Sequence, residues 1–267
     1  MNKIRVTLAG ATGWAGSALA KGIARQDDLA LTAAVSRKSA GRNLGTVIGD
    51  ANISCPIFAS AQEALEIPSD VLFEYTKPDT AKLNILAALS VGRHVVVGTS
   101  GLTNDDYAEI DEKAKASGRG VLAVGNFALT VVLLQKFAEI AARYIEHWEI
   151  IDYAHDDKID APSGTTRELA HRLSGIKKPK MSVSLSDIRG EPTARGATVN
   201  GSQIHSLRLP GYVIGAEIIF GMPDQKLIMR HEAGASAEPY VHGALLAVRK
   251  VATFVGLRRG LDTVMDL

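Results

Sequence analysis

The sequence predicts an α/β protein of two domains: an open, mainly parallel sheet in the first half and an α+β domain with a mixed sheet in the second. Short apolar runs alternate with helical segments through the first half, as parallel α/β folds require. After about residue 148, runs of strand character follow one another with only short turns between them. We expect the first domain over residues 1–127, completed by a C-terminal helix over residues 240–267, and the second over residues 128–239.

Composition limits the classes of partner. The chain has 267 residues, 46% of them hydrophobic, and a formal net charge of +1. A chain of this length can bury two cores, and its balanced charge argues against nucleic acid and favours a small molecule. Cys55 is the single cysteine, so no internal disulfide can form, and no apolar stretch is long enough to cross a bilayer. We therefore expect a cytoplasmic protein with no membrane partner.

The first strand and helix are joined by a turn with the spacing G-x-x-G-x-x-G. An apolar run over residues 4–9 predicts the strand, and a helical pattern covers residues 17–24. In a Rossmann domain such glycines allow a tight turn, close approach of a pyrophosphate, and close packing of helix on strand. We expect a dinucleotide here, the alternative being a turn without a ligand. The residues expected at the cofactor are Gly10, Thr12, Gly13, Trp14 and Gly16.

The end of the second predicted strand indicates which dinucleotide binds. The strand covers residues 29–35, and Ser36, Arg37 and Lys38 follow it, where NAD-binding domains carry an acidic residue for the ribose hydroxyls. Guanidinium and ammonium groups pair well with phosphate, so Arg37 and Lys38 could hold the 2′-phosphate of NADPH. The sequence favours NADPH, with NADH as an alternative. A solvated basic turn is the competing explanation.

The other strands of the first half end in loops of small or polar residues. Ligands of open α/β sheets bind at these carboxyl ends. A loop is expected up to residue 52, strands over 53–58, 71–75, 94–97 and 120–124, and helices after residue 60 and over 76–89 and 105–116. The residues expected at the ligand rim are Thr76, Gly98, Thr99, Ser100, Gly125, Asn126 and Phe127.

The second half begins after a long apolar helix over residues 129–144. Its sheet is expected to be antiparallel or mixed, because short turns at residues 210–211 and 222–224 separate successive strands. Strands are predicted over residues 149–153, 202–209, 213–220 and 225–231, helices over 166–174 and 240–256, and a mobile loop over 177–195.

One stretch, HDDKIDAPSGT at residues 155–165, carries the groups expected to bind substrate. Pro162 suits the first turn of a helix, and the N–H groups and hydroxyls of residues 163–165 would be free to hold an anion. Lys158 adds a positive charge, and Lys158 or His155 could supply a proton. The alternative is a loop with an ordinary helix cap.

These motifs resemble the dihydrodipicolinate reductase family, also named 4-hydroxy-tetrahydrodipicolinate reductase, of lysine and diaminopimelate biosynthesis. The resemblance spans nearly the whole chain. It implies a Rossmann domain and a C-terminal mixed-sheet domain that builds the substrate site and a homotetramer interface, with both halves closing over NAD(P)H and a cyclic imine-type dicarboxylate. The segments that carry it are the glycine turn, YTKP at 75–78, GTSG at 98–101, GNF at 125–127 and, above all, KIDAPSGT at 158–165.

The resemblance implies a role for each matched position. The glycine turn would hold the pyrophosphate, Arg37 the adenosine ribose or its phosphate, and the loops at 98–99 and 125–127 the nicotinamide end. His155 and Lys158 are the catalytic candidates, since a basic residue delivers the proton that balances hydride transfer. The substrate-binding candidates are Ser100, His155, Lys158, Ser163, Gly164 and Thr165.

The sequence also departs from the family at three places. Ala154 and Ala216 stand where the family carries histidines, and an arginine near residue 236 is missing. These departures keep open an alternative, a reductase of the same fold acting on another imine or unsaturated carboxylate, and a less favoured one, a non-catalytic nucleotide-binding protein. The histidines show no metal-ligand spacing, so no metal site is expected.

Overall fold

The computed structural model describes residues 3–266 and contains two compact units. Unit 1 consists of the chain up to Leu129 and again from Ala237, and unit 2 consists of Thr130–Ser236. The chain therefore leaves unit 1, builds unit 2, and returns. Within the described residues, no helix is both long and apolar enough to span a membrane.

The helices and strands are named here in chain order. The first half contains β1 (Ile4–Ala9), α1 (Trp14–Ala24), β2 (Leu29–Val35), α2 (Leu44–Ile48), β3 (Ile57–Phe58), α3 (Ala61–Leu65), β4 (Val71–Glu74), α4 (Pro78–Ser90), β5 (His94–Val97), α5 (Asn104–Ser117) and β6 (Gly120–Ala123). The second half contains α6 (Leu129–Tyr144), β7 (His147–Ala154), α7 (Gly164–Ser174), β8 (Ala197–Val199), β9 (Ser202–Arg208), β10 (Ile214–Met222), β11 (Gln225–Ala233), α8 (Glu238–Lys250) and β12 (Gly256–Arg259).

Unit 1 is built on a parallel sheet with the strand order β12-β6-β5-β4-β1-β2-β3. The order reverses at β1, whose neighbours are β2 and β4, and this is the position where open α/β sheets bind dinucleotides. Strands β1, β4 and β5 are buried except where β1 and β5 begin, and most of their buried residues are apolar, as expected for strands covered on both faces. Helices α3, α4 and α5 pack on one face through residues such as Leu65, Ile85 and Ile110.

Unit 2 is built on a mixed sheet with the order β11-β10-β7-β9-β8. Strand β7 is antiparallel to β10 and parallel to β9. One face of this sheet forms a core with α6 and α7, in which Trp148, Ile150 and Phe220 meet Leu134 and Leu169. The Rossmann-like parallel sheet and the second, mixed sheet confirm the predicted fold class.

Several predicted boundaries are wrong. The expected loop before residue 52 contains a short 3-10 helix at Arg37–Ser39 and α2, and the strand expected over residues 53–58 is reduced to β3. The closing helix ends at Lys250 rather than at residue 256, because the chain turns back as β12 and adds an edge strand beside β6. The expected loop over 177–195 contains two 3-10 turns.

Candidate active site

The glycine turn after β1 packs as closely as the sequence predicts. Gly10 has φ of +80°, and a Cβ there would lie 2.2 Å from the backbone oxygen of Tyr75. A Cβ on Gly16 would lie 2.2 Å from the backbone oxygen of Gly10, so only glycine lets α1 approach β1 this closely. Helix α1 begins at Trp14, three residues earlier than expected, with Gly13 as its N-cap.

The N-terminus of α1 suits an anion. Its N-cap, Gly13, has no side chain to satisfy the first N–H groups, and the first turn contains no acidic residue. These N–H groups have no acceptor within the helix, and the helix dipole adds partial positive charge. The turn therefore fits the pyrophosphate of a dinucleotide.

A cavity of about 480 Å³ lies in unit 1 beside this turn. Arg37 and Lys38 line it and are exposed, and across residues 3–266 no carboxylate forms an ion pair with either cation. Lys77 is a third lining cation, which the sequence analysis did not select although it lies in the loop after β4. Three cations without acidic partners provide a suitable lining for phosphate. The cavity is lined by Gly10, Val35, Ser36, Arg37, Lys38, Ala59, Ser60, Ala61, Gln62, Thr76, Lys77, Thr80, Leu83 and Asn84.

Two further residues predicted at the cofactor lie near the start of α1. The hydroxyls of Thr12 and Ser36 are 2.8 Å apart, which joins the turn after β1 to the turn after β2. Trp14 is 60% exposed, and its ring meets that of Tyr240 edge-on, with centroids 5.8 Å apart. Its indole therefore presents an open apolar surface beside the turn.

The loops after β5 and β6 contain the residues expected near the nicotinamide. A Cβ on Gly98 would lie 2.3 Å from the Tyr75 ring, and Ser100 is exposed. Phe127 is 2% exposed and its ring packs on Phe73 and Tyr75, with centroids 5.4 and 5.8 Å away. The phenyl ring is therefore part of the core, which leaves only the backbone of residue 127 for a ligand.

Neighbouring positions in these loops are held by hydrogen bonds. The Asn126 side-chain oxygen accepts the N–H of Ala128 at 2.9 Å, and Gly125 before it is exposed. Thr99 is buried, and its hydroxyl donates to the carboxylate of Glu74 at 3.3 Å. The sequence analysis did not select Glu74, which is the last residue of β4 and wholly buried.

In unit 2, the segment at 155–165 is anchored by a buried carboxylate that the sequence analysis missed. Asp152 on β7 is wholly buried and accepts the N–H of Ser163 at 2.9 Å, together with its hydroxyl. Arg208 donates to Asp152 at 2.7 Å and to the backbone oxygen of Asp160 at 2.6 Å. Burial alone would raise the pKa of Asp152, but hydrogen bonds from Ser163 and Arg208 outweigh it and lower that pKa.

These contacts correct two expectations. Pro162 does not lie in the first turn of the helix: Ser163 is the N-cap of α7, and Pro162 precedes it after a cis peptide bond. Ser163 is also not free to hold an anion, because its N–H and hydroxyl bind Asp152. The N–H groups without an acceptor inside the helix are those of Gly164, Thr165 and Thr166, the first residues of α7.

The two catalytic candidates flank a turn in which the N–H of Lys158 donates to the oxygen of His155 at 3.2 Å. Lys158 pairs with Asp160 at 2.5 Å, and this hydrogen bond lowers the pKa of the Asp160 carboxyl. The Nδ1 atom of His155 lies 2.7 Å from Asp156 and 3.0 Å from Asp157. His155, Asp156 and Asp157 are exposed and bring one possible metal-ligand atom each within 4.8 Å of one another, an arrangement that is common for surface acidic groups without a metal.

The two alanines at which the sequence departs from the expected family pattern are both inaccessible. Ala154 is the last residue of β7 and wholly buried, and Ala216 on β10 pairs with Asp152. A methyl group can neither give nor take a proton. Any proton donor at this edge of the sheet must therefore be another residue. His155, which follows Ala154 in the chain, is one candidate.

Comparison with known proteins gives the family. The family model described as "Dihydrodipicolinate reductase, N-terminus" matches residues 4–127, and "Dihydrodipicolinate reductase, C-terminus" matches residues 130–265. The chain belongs to the dihydrodipicolinate reductase family. That membership confirms the predicted resemblance and enzyme class, an oxidoreductase that uses a nicotinamide cofactor.

Individual relatives of the family agree with this. A 4-hydroxy-tetrahydrodipicolinate reductase of Desulfitobacterium hafniense (strain DSM 10664 / DCB-2) is 35% identical over 100% of both chains. One from Synechococcus elongatus is 36% identical over 98% of both. The solved dipicolinate-bound dihydrodipicolinate reductase of Paenisporosarcina sp. TG-14 superposes with a TM-score of 0.88 at 26% identity, covering 98% of this chain and 100% of that one.

Proposed function

We propose that this member of the family reduces 4-hydroxy-tetrahydrodipicolinate to tetrahydrodipicolinate, with NADPH as the preferred cofactor, in lysine and diaminopimelate biosynthesis. The observation that carries the proposal is the segment at 158–165, which opens α7 in a chain that matches the family along nearly its whole length. Relatives that match over the full length are named for this activity.

The substrate would be held by charge and by a helix terminus. Lys158 supplies an ammonium group, and Gly164 and Thr165 supply N–H groups at the positive end of α7. Ser163 would act by fixing this turn through Asp152. A dicarboxylate suits this set, and the Paenisporosarcina relative was solved with dipicolinate bound.

The cofactor would be held by the glycine turn and the cavity beside it. Bound NADPH supplies a hydride to the substrate. The open N-terminus of α1 would hold the pyrophosphate, and Arg37 and Lys38, which line the cavity without acidic partners, would hold the 2′-phosphate. NADH lacks that phosphate, so these cations support the preference for NADPH.

The balancing proton would come from His155 or Lys158. His155 engages its Nδ1 atom with Asp156 and Asp157, which leaves Nε2 as the ring nitrogen to deliver a proton. Lys158 would deliver it only by giving up the charge that attracts the substrate. His155 is therefore the better donor of the two.

The enzyme is proposed to work in the cytoplasm as a homotetramer. The face of the unit 2 sheet opposite its core carries Ile228, which is 47% exposed, and Arg230, which stacks on Tyr153 at 4.4 Å. An exposed apolar side chain beside an arginine that stacks on a tyrosine suits an interface between copies of the chain.

The test is oxidation of NADPH by the purified protein, with substrate generated in place by its synthase, run in parallel with NADH. We expect fast turnover with NADPH and slower turnover with NADH. Tight binding of NADPH without turnover would contradict the assigned substrate.

A further inference from the structure

We propose that Glu74 is a positioning residue of the cofactor site. Its buried carboxylate holds the loop after β4 and the loop after β5 in fixed positions relative to each other. Glu74 ends β4, and the sheet register places it between Ala9, which ends β1, and Val97, which ends β5. It thus lies at the carboxyl edge of the sheet, in the middle of unit 1.

The carboxylate gathers donors from three elements. Its Oε1 atom accepts the N–H of Thr76 at 2.7 Å, the hydroxyl of Thr76, and the hydroxyl of Thr99 at 3.3 Å. Its Oε2 atom accepts the side-chain amide of Asn84 on α4 at 2.8 Å. Thr76 and Asn84 both line the cavity of unit 1, and Thr99 lies in the loop expected at the nicotinamide ribose.

These contacts require both carboxylate oxygens of Glu74 to accept hydrogen bonds. All four contacts come from groups that donate, and none of the described residues forms an ion pair with Glu74. Burying a carboxylate without a cation is costly, and burial raises the pKa of Glu74 although its hydrogen bonds oppose this. An isolated packing role would be filled at lower cost by an apolar side chain, which could not tie the two loops together.

This inference rests on the proposed function, since it assumes that these loops bind the dinucleotide. The substitution Glu74→Gln keeps the size but turns one acceptor into a donor that faces Asn84 or Thr76. None of these contacts involves Arg37, so the binding of both cofactors should weaken alike. We expect Glu74→Gln to raise the Kd of NADPH and of NADH by about tenfold each, measured by calorimetry without substrate.

The matched control is Glu112→Gln, the same change at an exposed position of α5, which should leave both Kd values unchanged. A folded Glu74→Gln protein with wild-type Kd would overturn the inference and leave the proposed function intact. A wild-type protein that binds neither cofactor would overturn both.

A second variant covers a failure of Glu74→Gln to fold. Thr99→Val removes one donor to Glu74 and keeps the shape of the side chain, whereas Thr99→Ser keeps the hydroxyl. We expect about a threefold rise in the Kd of NADPH for Thr99→Val and a smaller rise for Thr99→Ser, which keeps the donor. Where Glu74→Gln folds, the double variant Glu74→Gln/Thr99→Val should bind no more weakly than Glu74→Gln alone, because both changes break one contact. Equal Kd for Thr99→Val and the wild type, or additive losses in the double variant, would contradict the inference.

Discussion

Two cations that the proposed function depends on differ in their surroundings. Lys158 is paired with Asp160 at 2.5 Å and its side chain is only 30% exposed, so its charge is held in one place. Arg37 is exposed and lines the cavity of unit 1. The Lys158 ammonium is therefore held in position before substrate binds, whereas the Arg37 side chain is free to close on the cofactor. Each cation can be tested against its own ligand.

Replacing Lys158 should affect substrate and not cofactor. We expect Lys158→Ala to lower kcat/KM about tenfold to a hundredfold, the loss of a hydrogen bond between charged groups, and to leave the Kd of NADPH within about twofold. The measurement is steady-state kinetics with calorimetry of the cofactor. Lys113→Ala, at an exposed position of α5, is the control, and an unchanged kcat/KM for Lys158→Ala would refute the assigned role.

Replacing Arg37 should discriminate between the two cofactors. We expect Arg37→Ala to raise the Kd of NADPH about tenfold, because an Arg–phosphate pair is lost, while the Kd of NADH changes little. Titration of each cofactor by fluorescence checks this. Arg42→Ala, an exposed arginine nearby that does not line the cavity, serves as control, and equal losses for both cofactors would exclude a contact with the 2′-phosphate.

Single residues show where sequence reasoning reached its limit. The glycine turn and the cations after β2 meet at one cavity, and local sequence sufficed to select them, while their role at the cofactor stays a prediction. Ser163 was expected to be a free donor, since its partner Asp152 is eleven residues away in sequence. One signal was present: Asp152 alternates with Trp148 and Ile150 on the apolar, inward face of β7.

At the scale of an element, the start of α7 is fixed by the network around Asp152. The carboxylate receives donors from Ser163, from Ser206 at 3.2 Å, and from Arg208. Arg208 also reaches the backbone oxygen of Asp160, so the turn is held on two sides. The helix terminus proposed to bind the substrate is therefore anchored to two strands of the unit 2 sheet.

The Asp152 carboxylate should contribute to the free energy of unfolding, and this contribution should change with pH. Because hydrogen bonds lower the pKa of Asp152 below its ordinary value of 3.8, its stabilisation is complete above that pH and is lost as the pH falls through the lower, folded-state pKa. We expect Asp152→Asn to reduce the free energy of unfolding by about 3 kcal/mol at neutral pH, and by less in acid.

Urea unfolding of both proteins at neutral pH and near pH 3 measures the difference. Asp187→Asn, at an exposed position of unit 2, is the control and should match the wild type at both pH values. A deficit of the same size in acid would show that Asp152 stabilises by packing rather than by charge.

Elements were predicted best where their patterns were local and long. Helices α4, α5 and α6 were placed within a few residues because apolar periodicity and caps mark them, including the capping box of Thr103 and Asp106. Strand β12 was missed because it is four residues long and contains two arginines. Residues 256–259 form a strand only because they pair with β6, and no local sequence pattern predicts that pairing.

For the whole molecule, the proposed homotetramer makes the exposed face of the unit 2 sheet an interface. We expect the wild type to sediment with four times the mass of the chain, and Ile228→Lys on β11 to yield smaller species, because a buried charge at an apolar contact is costly. Analytical ultracentrifugation decides this. Val91→Lys changes an apolar residue of similar exposure, 48%, in unit 1 and should leave the mass unchanged; a monomeric wild type would refute the proposal.

The return of the chain to unit 1 as β12 also bears on the order of folding. The outer edge of β6 has its partner only once residues 256–259 have been synthesised, which is after the whole of unit 2. Until then β6 presents unpaired N–H and C=O groups, the feature by which sheet edges recruit other chains. During synthesis, the first sheet therefore lacks its last strand for as long as unit 2 is being made, and its open edge at β6 can recruit other chains in that interval.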